Sequence, residues 1–146
     1  MPFVEVFVPK GTLPETQRKV ITEELVAEVM QAEGAPDTPS ARSISWLVFH
    51  EADGWSVGGA PVAPGDPARF VVRVSVPAGS LDDAKRQDMV ERITRVLAKE
   101  DPDPDRLTSE PVAWVHITEI AEGNWGAAGR VVRFADIAKF VATGSV

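Results

Sequence analysis

Apolar positions along the chain first alternate and then recur at helical spacing, which predicts a strand followed by a helix. Residues 3–8, FVEVFV, alternate around Glu5 and are rich in β-branched and aromatic side chains, as is typical of a strand. One apolar stripe at helical spacing follows, formed by Val20, Ile21, Leu25, Val26, Val29 and Met30. Gly34 and Pro36 are expected to end this helix, and residues 43–51, SISWLVFHE, predict the next strand.

The same order of elements returns in the second half of the chain. VPKGTL at 8–13 matches VPAGSL at 76–81, a shift of 68 positions, the difference between 76 and 8. Residues 69–76, RFVVRVSV, predict a strand, and residues 111–120, PVAWVHITEI, predict another. A helical stripe lies between them, formed by Val90, Ile93, Val96 and Leu97. The chain is therefore predicted to contain two β-α-β units.

The turns that lead into the two helices also match. Thr12 and Glu15 have the spacing of a capping box, in which a hydroxyl and a carboxylate satisfy free backbone N–H groups, and Ser80 and Asp83 repeat that spacing. Between the units, the glycines and prolines of residues 56–68 suit a linker, or a hairpin and crossover.

Together these elements predict an α+β fold, a four-stranded sheet with two helices on one face. We expect one domain over residues 1–146, in which 1–59 and 69–129 are the repeats. Residues 130–146 form a tail that resembles a short strand and a helical turn. Two helices cannot cover both faces of an apolar sheet, so the second face is expected to be buried against other subunits.

Composition removes several classes of function. The 146 residues are 44% hydrophobic and 25% charged, which is globular, and no apolar run approaches the ~20 residues of a membrane helix. The formal net charge of −7 argues against nucleic acid and anionic membranes as partners. No signal peptide is evident, so a cytoplasmic protein is expected. There is no cysteine, and His50 and His116 are far apart in sequence, so neither a metal nor a cofactor is expected.

The glycine-aromatic segments at the ends of the two units carry a family resemblance. Residues 117–129, ITEIAEGNWGAAG, resemble the hairpin motif of the tautomerase superfamily, whose founding example is 4-oxalocrotonate tautomerase, and FHEADGWSVGG at 49–59 is a weaker copy. The chain also begins Met-Pro, as that family does. It is similar to the fused members, such as the chloroacrylate dehalogenases and malonate semialdehyde decarboxylase, which implies a homotrimer of two-unit chains.

The resemblance implies that Pro2 is the catalytic residue once the initiator methionine is removed. An α-amine titrates nearer neutrality than lysine, and burial lowers its pKa further, so a buried prolyl amine can take a proton next to a carbonyl at pH 7. A shift of 68 positions pairs Pro2 with Phe70, which is in mid-chain and has no terminal amine. We therefore expect one active site per chain.

Relatives that act on dicarboxylates bind them through arginines, and this chain lacks those arginines. Their positions hold Thr12 and Ser80 in the turns, and Trp46 and Trp114 on the second strand of each unit. The resemblance therefore implies a small carboxylic acid substrate, and we expect a monoacid such as phenylenolpyruvate to be preferred over a dicarboxylate.

Other residues could bind such a substrate in place of the missing arginines. Trp125 matches the family's aromatic wall near the proline, and Asn124 could hydrogen-bond a substrate oxygen. Arg73 lies opposite Glu5 in the repeat alignment, where an ion pair between strands is the favoured interpretation. The candidate substrate-binding residues are Trp125, Asn124, Arg73, Trp114 and Arg42.

Three functional interpretations follow from the sequence. The first is an enzyme, an isomerase that interconverts keto and enol acids, or a related lyase or hydrolase that hydrates, dehalogenates or decarboxylates a related acid. The second is a non-catalytic trimeric relative. The third is a dimeric ferredoxin-like domain, since two β-α-β units also describe that fold.

Overall fold

A computed structural model describes residues 1–145 of the chain. The elements, in chain order, are β1 (Phe3–Pro9), α1 (Glu15–Glu33), α2 (Pro39–Ser43), β2 (Trp46–Ala52), β3 (Ser56–Val57), β4 (Ala60–Pro61), β5 (Phe70–Pro77), α3 (Asp83–Lys99), α4 (Arg106–Ser109), β6 (Ala113–Ile120), β7 (Gly126–Ala127), β8 (Arg130–Val131) and α5 (Phe134–Thr143). The four predicted main strands and both long helices are present.

The main sheet has the order β2-β1-β5-β6. β1 is parallel to β2 and β5 is parallel to β6, whereas the central pair β1 and β5 is antiparallel. Glu5 faces Arg73 in that central pair, so two positions related by the repeat lie opposite each other. The two units are therefore related by an approximate two-fold axis near this pair. In a ferredoxin-like sheet the β-α-β unit is split by another strand, whereas here its strands are neighbours, which excludes that alternative.

The core lies between one face of the sheet and the two long helices. Alternate residues of the central strands are fully buried there: Val4, Val6, Val8, Val72, Val74 and Val76. The other face is not covered by helices, and Trp46 and Trp114 on its outer strands are 66% and 59% exposed. The predicted arrangement of two helices on one face of the sheet is confirmed.

The predicted capping boxes are wrong in both units, and for the same reason. Gly11 and Gly79 adopt left-handed φ values of +77° and +96°, which turn the chain back on itself. The hydroxyls of Thr12 and Ser80 therefore donate to the carbonyl three residues earlier, at 2.7 and 2.8 Å. α3 is capped instead by Asp82, whose carboxylate accepts a backbone N–H of the first turn at 2.8 Å.

The segments that follow each unit form hairpins. β3 pairs with β4 within residues 56–68, and β7 pairs with β8. Beyond the second hairpin, the predicted helical turn is a ten-residue helix, α5. Its Ile137 and Val141 pack with Met30 and Ala41, and so close one end of the fold over the start of the chain. Within residues 1–145, no helix combines the length and apolarity needed to cross a membrane.

Candidate active site

The N-terminal amine lies against a buried carboxylate. The Met1 nitrogen is 3.2 and 3.3 Å from the two carboxylate oxygens of Glu33, whose side chain is only 5% exposed. Glu33 is the last residue of α1, and the crossover returns that end of the helix to the start of β1. The carbonyl of Pro2 accepts the Trp46 N–H at 3.1 Å, which ties the first residues of the chain to β2.

A cavity of about 320 Å³ surrounds this contact. Its polar lining includes Glu33, Ser80 and Lys85, and α5 contributes an apolar wall that includes Phe134, Ile137 and Val141. Burial raises the pKa of the Glu33 carboxyl, while the Met1 ammonium and, more weakly, Lys85 lower it. The site thus holds a desolvated acid beside the chain's first nitrogen.

Lys85 reaches this cavity from the second unit. Its Nζ donates to the backbone carbonyl of Ser80 at 3.4 Å. The same Nζ lies 3.5 Å from the position that a Cβ atom on Gly34 would occupy. Because Gly34 has no side chain, there is room for the ammonium at this point.

The approximate two-fold axis generates a second pocket of about 630 Å³ at the other end of the sheet. Asp101 occupies the position of Glu33 there, and Arg106 takes the place of the terminal amine. The Arg106 guanidinium binds Asp101 through two contacts of 2.9 and 2.6 Å and also donates to the Ala68 carbonyl. Gln17 lines this pocket where Lys85 lines the first. The second pocket therefore contains an internal ion pair and has lost the lysine.

Trp125 and Asn124 lie in a different cavity, on the uncovered face of the sheet. This cavity of about 390 Å³ is also lined by Phe3, Trp46 and Ser75. Met1 lines the Glu33 cavity and Phe3 lines the Trp125 cavity, so the predicted catalytic Pro2, which is buried, stands between the two cavities along the chain.

The predicted ion pair between Arg73 and Glu5 does not form in the described part of the chain, although the two residues face each other. The Glu5 carboxylate is 3.2 Å from Nε2 of His50. The Arg73 guanidinium lies over the Phe7 ring, 5.3 Å from its centroid. Arg73 is thus exposed on the uncovered face, away from the Glu33 cavity.

The remaining two candidates are also apart from the N-terminal cavity. Arg42 is paired with Asp37 through contacts of 2.5 and 2.9 Å on the surface. Trp114 lines a separate pocket with Trp55, the counterpart of the Trp125 cavity in the other unit. The structure thus brings Trp125 and Asn124 near the start of the chain, and Arg73, Arg42 and Trp114 elsewhere.

Solved structures with this arrangement are known. A scan of protein-family models and a search of curated proteins find no match. Among solved structures, the chain is similar to a fused 4-OT described as an asymmetric trimer, at 21% identity and a TM-score of 0.69, covering 88% of this chain and 94% of that one. It is similar to a protein inactivated by 2-oxo-3-pentynoate, at 20% identity and a TM-score of 0.68, covering 98% and 99%. A member of the cis-3-chloroacrylic acid dehalogenase family matches at 19% identity and a TM-score of 0.70, covering 97% and 91%.

The fold is that of the tautomerase superfamily. At identities this low the likeness concerns the fold alone, and it confirms the two fused β-α-β units. Within this tautomerase fold, the two residues that sequence reasoning missed are Glu33 and Lys85. The sequence carried a signal for Glu33, because the shift of 68 positions pairs it with Asp101, so that an acidic residue stands at or just after the end of each long helix. Lys85 had none, because its counterpart is Gln17 and only the fold brings it to the N-terminal cavity.

Proposed function

We propose that the protein is an enzyme of the tautomerase type, in which the amine of Pro2 exchanges protons with a small 2-oxo or enol acid after Met1 is removed. The observation that supports this most directly is the buried Glu33 carboxylate, 3.2 Å from the first nitrogen of the chain inside a cavity. The volume of about 320 Å³ falls in the range of small-molecule sites, roughly 300–1,000 Å³.

Removal of Met1 would leave the Pro2 amine close to Glu33. The nitrogens of Met1 and Pro2 are joined by three covalent bonds, which span at most roughly 3.7 Å. Because the Met1 nitrogen is 3.2 Å from Glu33, the Pro2 nitrogen would lie within about 7 Å of that carboxylate. Burial raises the pKa of the Glu33 carboxyl and lowers that of an α-amine, which brings the proton affinities of the two groups closer together, so the pair can hold a single proton.

A pair that holds one proton is suited to tautomerisation, which removes a proton at one atom and adds one at another. Glu33 as carboxylate would take the enol O–H proton, and the electrons of that bond would form the carbonyl. The electrons of the carbon–carbon double bond would then take a proton from the Pro2 ammonium. The pair ends with its proton on Glu33 instead of Pro2, and solvent exchange restores it.

The same carboxylate makes hydration of an unsaturated acid a second candidate. Glu33 could take a proton from a water whose oxygen bonds to one carbon of the double bond, while the electrons of that double bond take a proton from the Pro2 ammonium at the other carbon. The likeness in fold to the cis-3-chloroacrylic acid dehalogenase family is consistent with this. The two candidates differ in their products, since hydration adds one water to the acid and tautomerisation leaves its mass unchanged.

The uncovered sheet face supports assembly as a homotrimer. It exposes Trp46 and Trp114 together with Val48, which is 40% exposed. Water contact at such a face is unfavourable, so burial against other chains is expected, and the similar fused 4-OT is itself a trimer. Sedimentation at micromolar concentration should give a trimer, and a monomer or dimer would contradict this part of the proposal.

The catalytic role of Pro2 can be tested by mutation once an intact mass has shown that Met1 is absent. Pro2→Ala should lower turnover of phenylenolpyruvate by about 10²–10⁴, the usual contribution of a positioned general acid or base. A circular dichroism spectrum should show that the variant is folded, and Lys19→Met, at an exposed site on α1, is the matched control. Unchanged turnover in Pro2→Ala would favour the non-catalytic interpretation.

A further inference from the structure

Lys85 differs from two other cations near the ends of the sheet, Arg42 and Arg106. Arg42 is paired with Asp37, and Arg106 with Asp101. Among the described residues, Lys85 has no such carboxylate partner, and its Nζ makes a long contact of 3.4 Å with the Ser80 carbonyl. Its ammonium is therefore available to a ligand in the cavity that holds the first residue of the chain.

The internal repeat supplies a comparison within the same molecule. The first cavity contains Glu33 and Lys85, whereas the second contains Asp101, Gln17 and the guanidinium of Arg106. The lysine therefore lines the pocket that contains the chain's start, and no lysine lines the described pocket that is occupied by an internal ion pair.

The geometry also limits what a ligand in the first cavity could be. One side of the cavity is apolar, formed by Phe134, Ile137 and Val141 of α5, and Glu33 would repel a second negative charge. Within the described lining of this cavity, Lys85 is the one cationic side chain. These walls suit a molecule with one carboxylate and an apolar remainder.

We propose that Lys85 binds the carboxylate of the substrate, a small monocarboxylic acid with an apolar tail, and places its reacting carbon at Pro2. This inference rests on the proposed function of Pro2. Lys85 is thereby a substrate-binding residue, and it replaces the arginines that are absent at Thr12 and Ser80. The tail of the acid lies against α5.

The probe for the test is 2-oxo-3-pentynoate, which inactivates a protein of similar fold. A neutral prolyl amine would add across its triple bond, forming an N–C bond while the amine proton moves to the adjacent carbon, so the chain gains the whole mass of the reagent. The matched reagent is 3-pentyn-2-one, the same alkynyl ketone without a carboxylate. Labelling rates are measured against reagent concentration for protein without Met1.

Lys85→Met should raise the half-saturation concentration of 2-oxo-3-pentynoate by at least about 10-fold, the usual effect of losing a charge-assisted contact. The maximal labelling rate should change little, and labelling by 3-pentyn-2-one should be unaffected. In Lys85→Arg the half-saturation concentration should return most of the way to the wild-type value, and Lys19→Met should behave as wild type. The assignment would be overturned if Lys85→Met and Lys19→Met had the same half-saturation concentration for 2-oxo-3-pentynoate. It would also be overturned if Lys85→Met slowed labelling by 3-pentyn-2-one as much as labelling by 2-oxo-3-pentynoate.

Failure of the proposed function gives a different result. If Pro2→Ala is labelled as fast as wild type, or if wild type is not labelled at Pro2, the amine mechanism is wrong. Binding of phenylpyruvate, measured by calorimetry, then tests Lys85 without any reaction. Weaker binding to Lys85→Met than to Lys19→Met supports the carboxylate site, and equal binding refutes it.

Discussion

Removing one partner of the buried ion pair in the second pocket should strongly destabilise the fold, because the other charge stays buried, and Arg106→Met tests this. The Arg106 side chain is 9% exposed and that of Asp101 is 5% exposed. The guanidinium makes two contacts with the carboxylate, at 2.9 and 2.6 Å, and a third with the Ala68 carbonyl. Hydrogen bonding to Asp101 raises the pKa of Arg106, so the charge is retained. Methionine has a similar length and would leave Asp101 buried without its partner.

Breaking a buried ion pair on one side costs about 3–5 kcal/mol. The pair borders a cavity, where water can reach the orphaned carboxylate, so the lower end of that range applies. At roughly 2.1 cal/mol/K per residue the 146-residue chain has an unfolding entropy near 0.3 kcal/mol/K. A loss of about 3 kcal/mol therefore corresponds to a fall in Tm of roughly 10 °C.

Calorimetry or circular dichroism at a fixed protomer concentration measures this fall, because assembly makes Tm depend on concentration. The control is Lys99→Met, which removes a surface ion pair between Lys99 of α3 and Glu24 of α1 and should change Tm little. The double variant Arg106→Met with Asp101→Leu should recover most of the loss, since no charge is left buried. A fall below about 3 °C for Arg106→Met would refute the assigned role of the pair.

Three further predictions follow from other parts of the structure. Burial raises the pKa of Glu33 in the chain that retains Met1. This group therefore stabilises the fold fully below pH 4.5, and its contribution is lost as the pH rises through the raised pKa. Glu33→Gln should remove that part of the pH dependence of the unfolding free energy measured by urea titration, and an unchanged dependence would contradict the prediction. Val48→Asp places a charge on the uncovered sheet face and should dissociate the trimer in sedimentation, whereas a trimer that persists would locate the interface elsewhere. Trp125→Ala should admit water near Pro2 and raise the basicity of its amine. Because the proposed mechanism uses the Pro2 ammonium as the acid, the alkaline limb of the pH–rate profile should move to higher pH, and an alkaline limb at the wild-type pH would argue against a role for this tryptophan.

The sheet and its two helices could be predicted because local patterns specify them twice. Strand alternation, helical stripes and the repeated glycine turn each occur in both units, and the resemblance at 117–129 agreed with them. The caps could not be predicted, because the Thr12 hydroxyl has two possible partners within one turn. Only the left-handed glycine before it decides in favour of the carbonyl.

Only the residues of the candidate site that local sequence motifs mark could be predicted. Pro2 is local information, as is the hairpin that carries Trp125. Glu33 and Lys85 are 31 and 83 positions from Pro2, respectively, and they meet it only because one crossover returns α1 to the start of β1 and the two-fold arrangement brings in the second unit. Arg73 was a candidate to bind the substrate, but strand alternation places it on the face of the sheet away from the Glu33 cavity.

The closed position of the first residue fixes an order of events during synthesis. In the folded chain the Met1 side chain is only 11% exposed, and its amine is bonded to Glu33. The wall above it is α5, which begins 133 positions after Met1 and is therefore synthesised well after it. A peptidase must enclose the first residue in order to cleave after it, so it has to act on the nascent chain, before α5 packs. A chain that folds first retains its methionine and, with it, an amide where the proposed mechanism needs an amine.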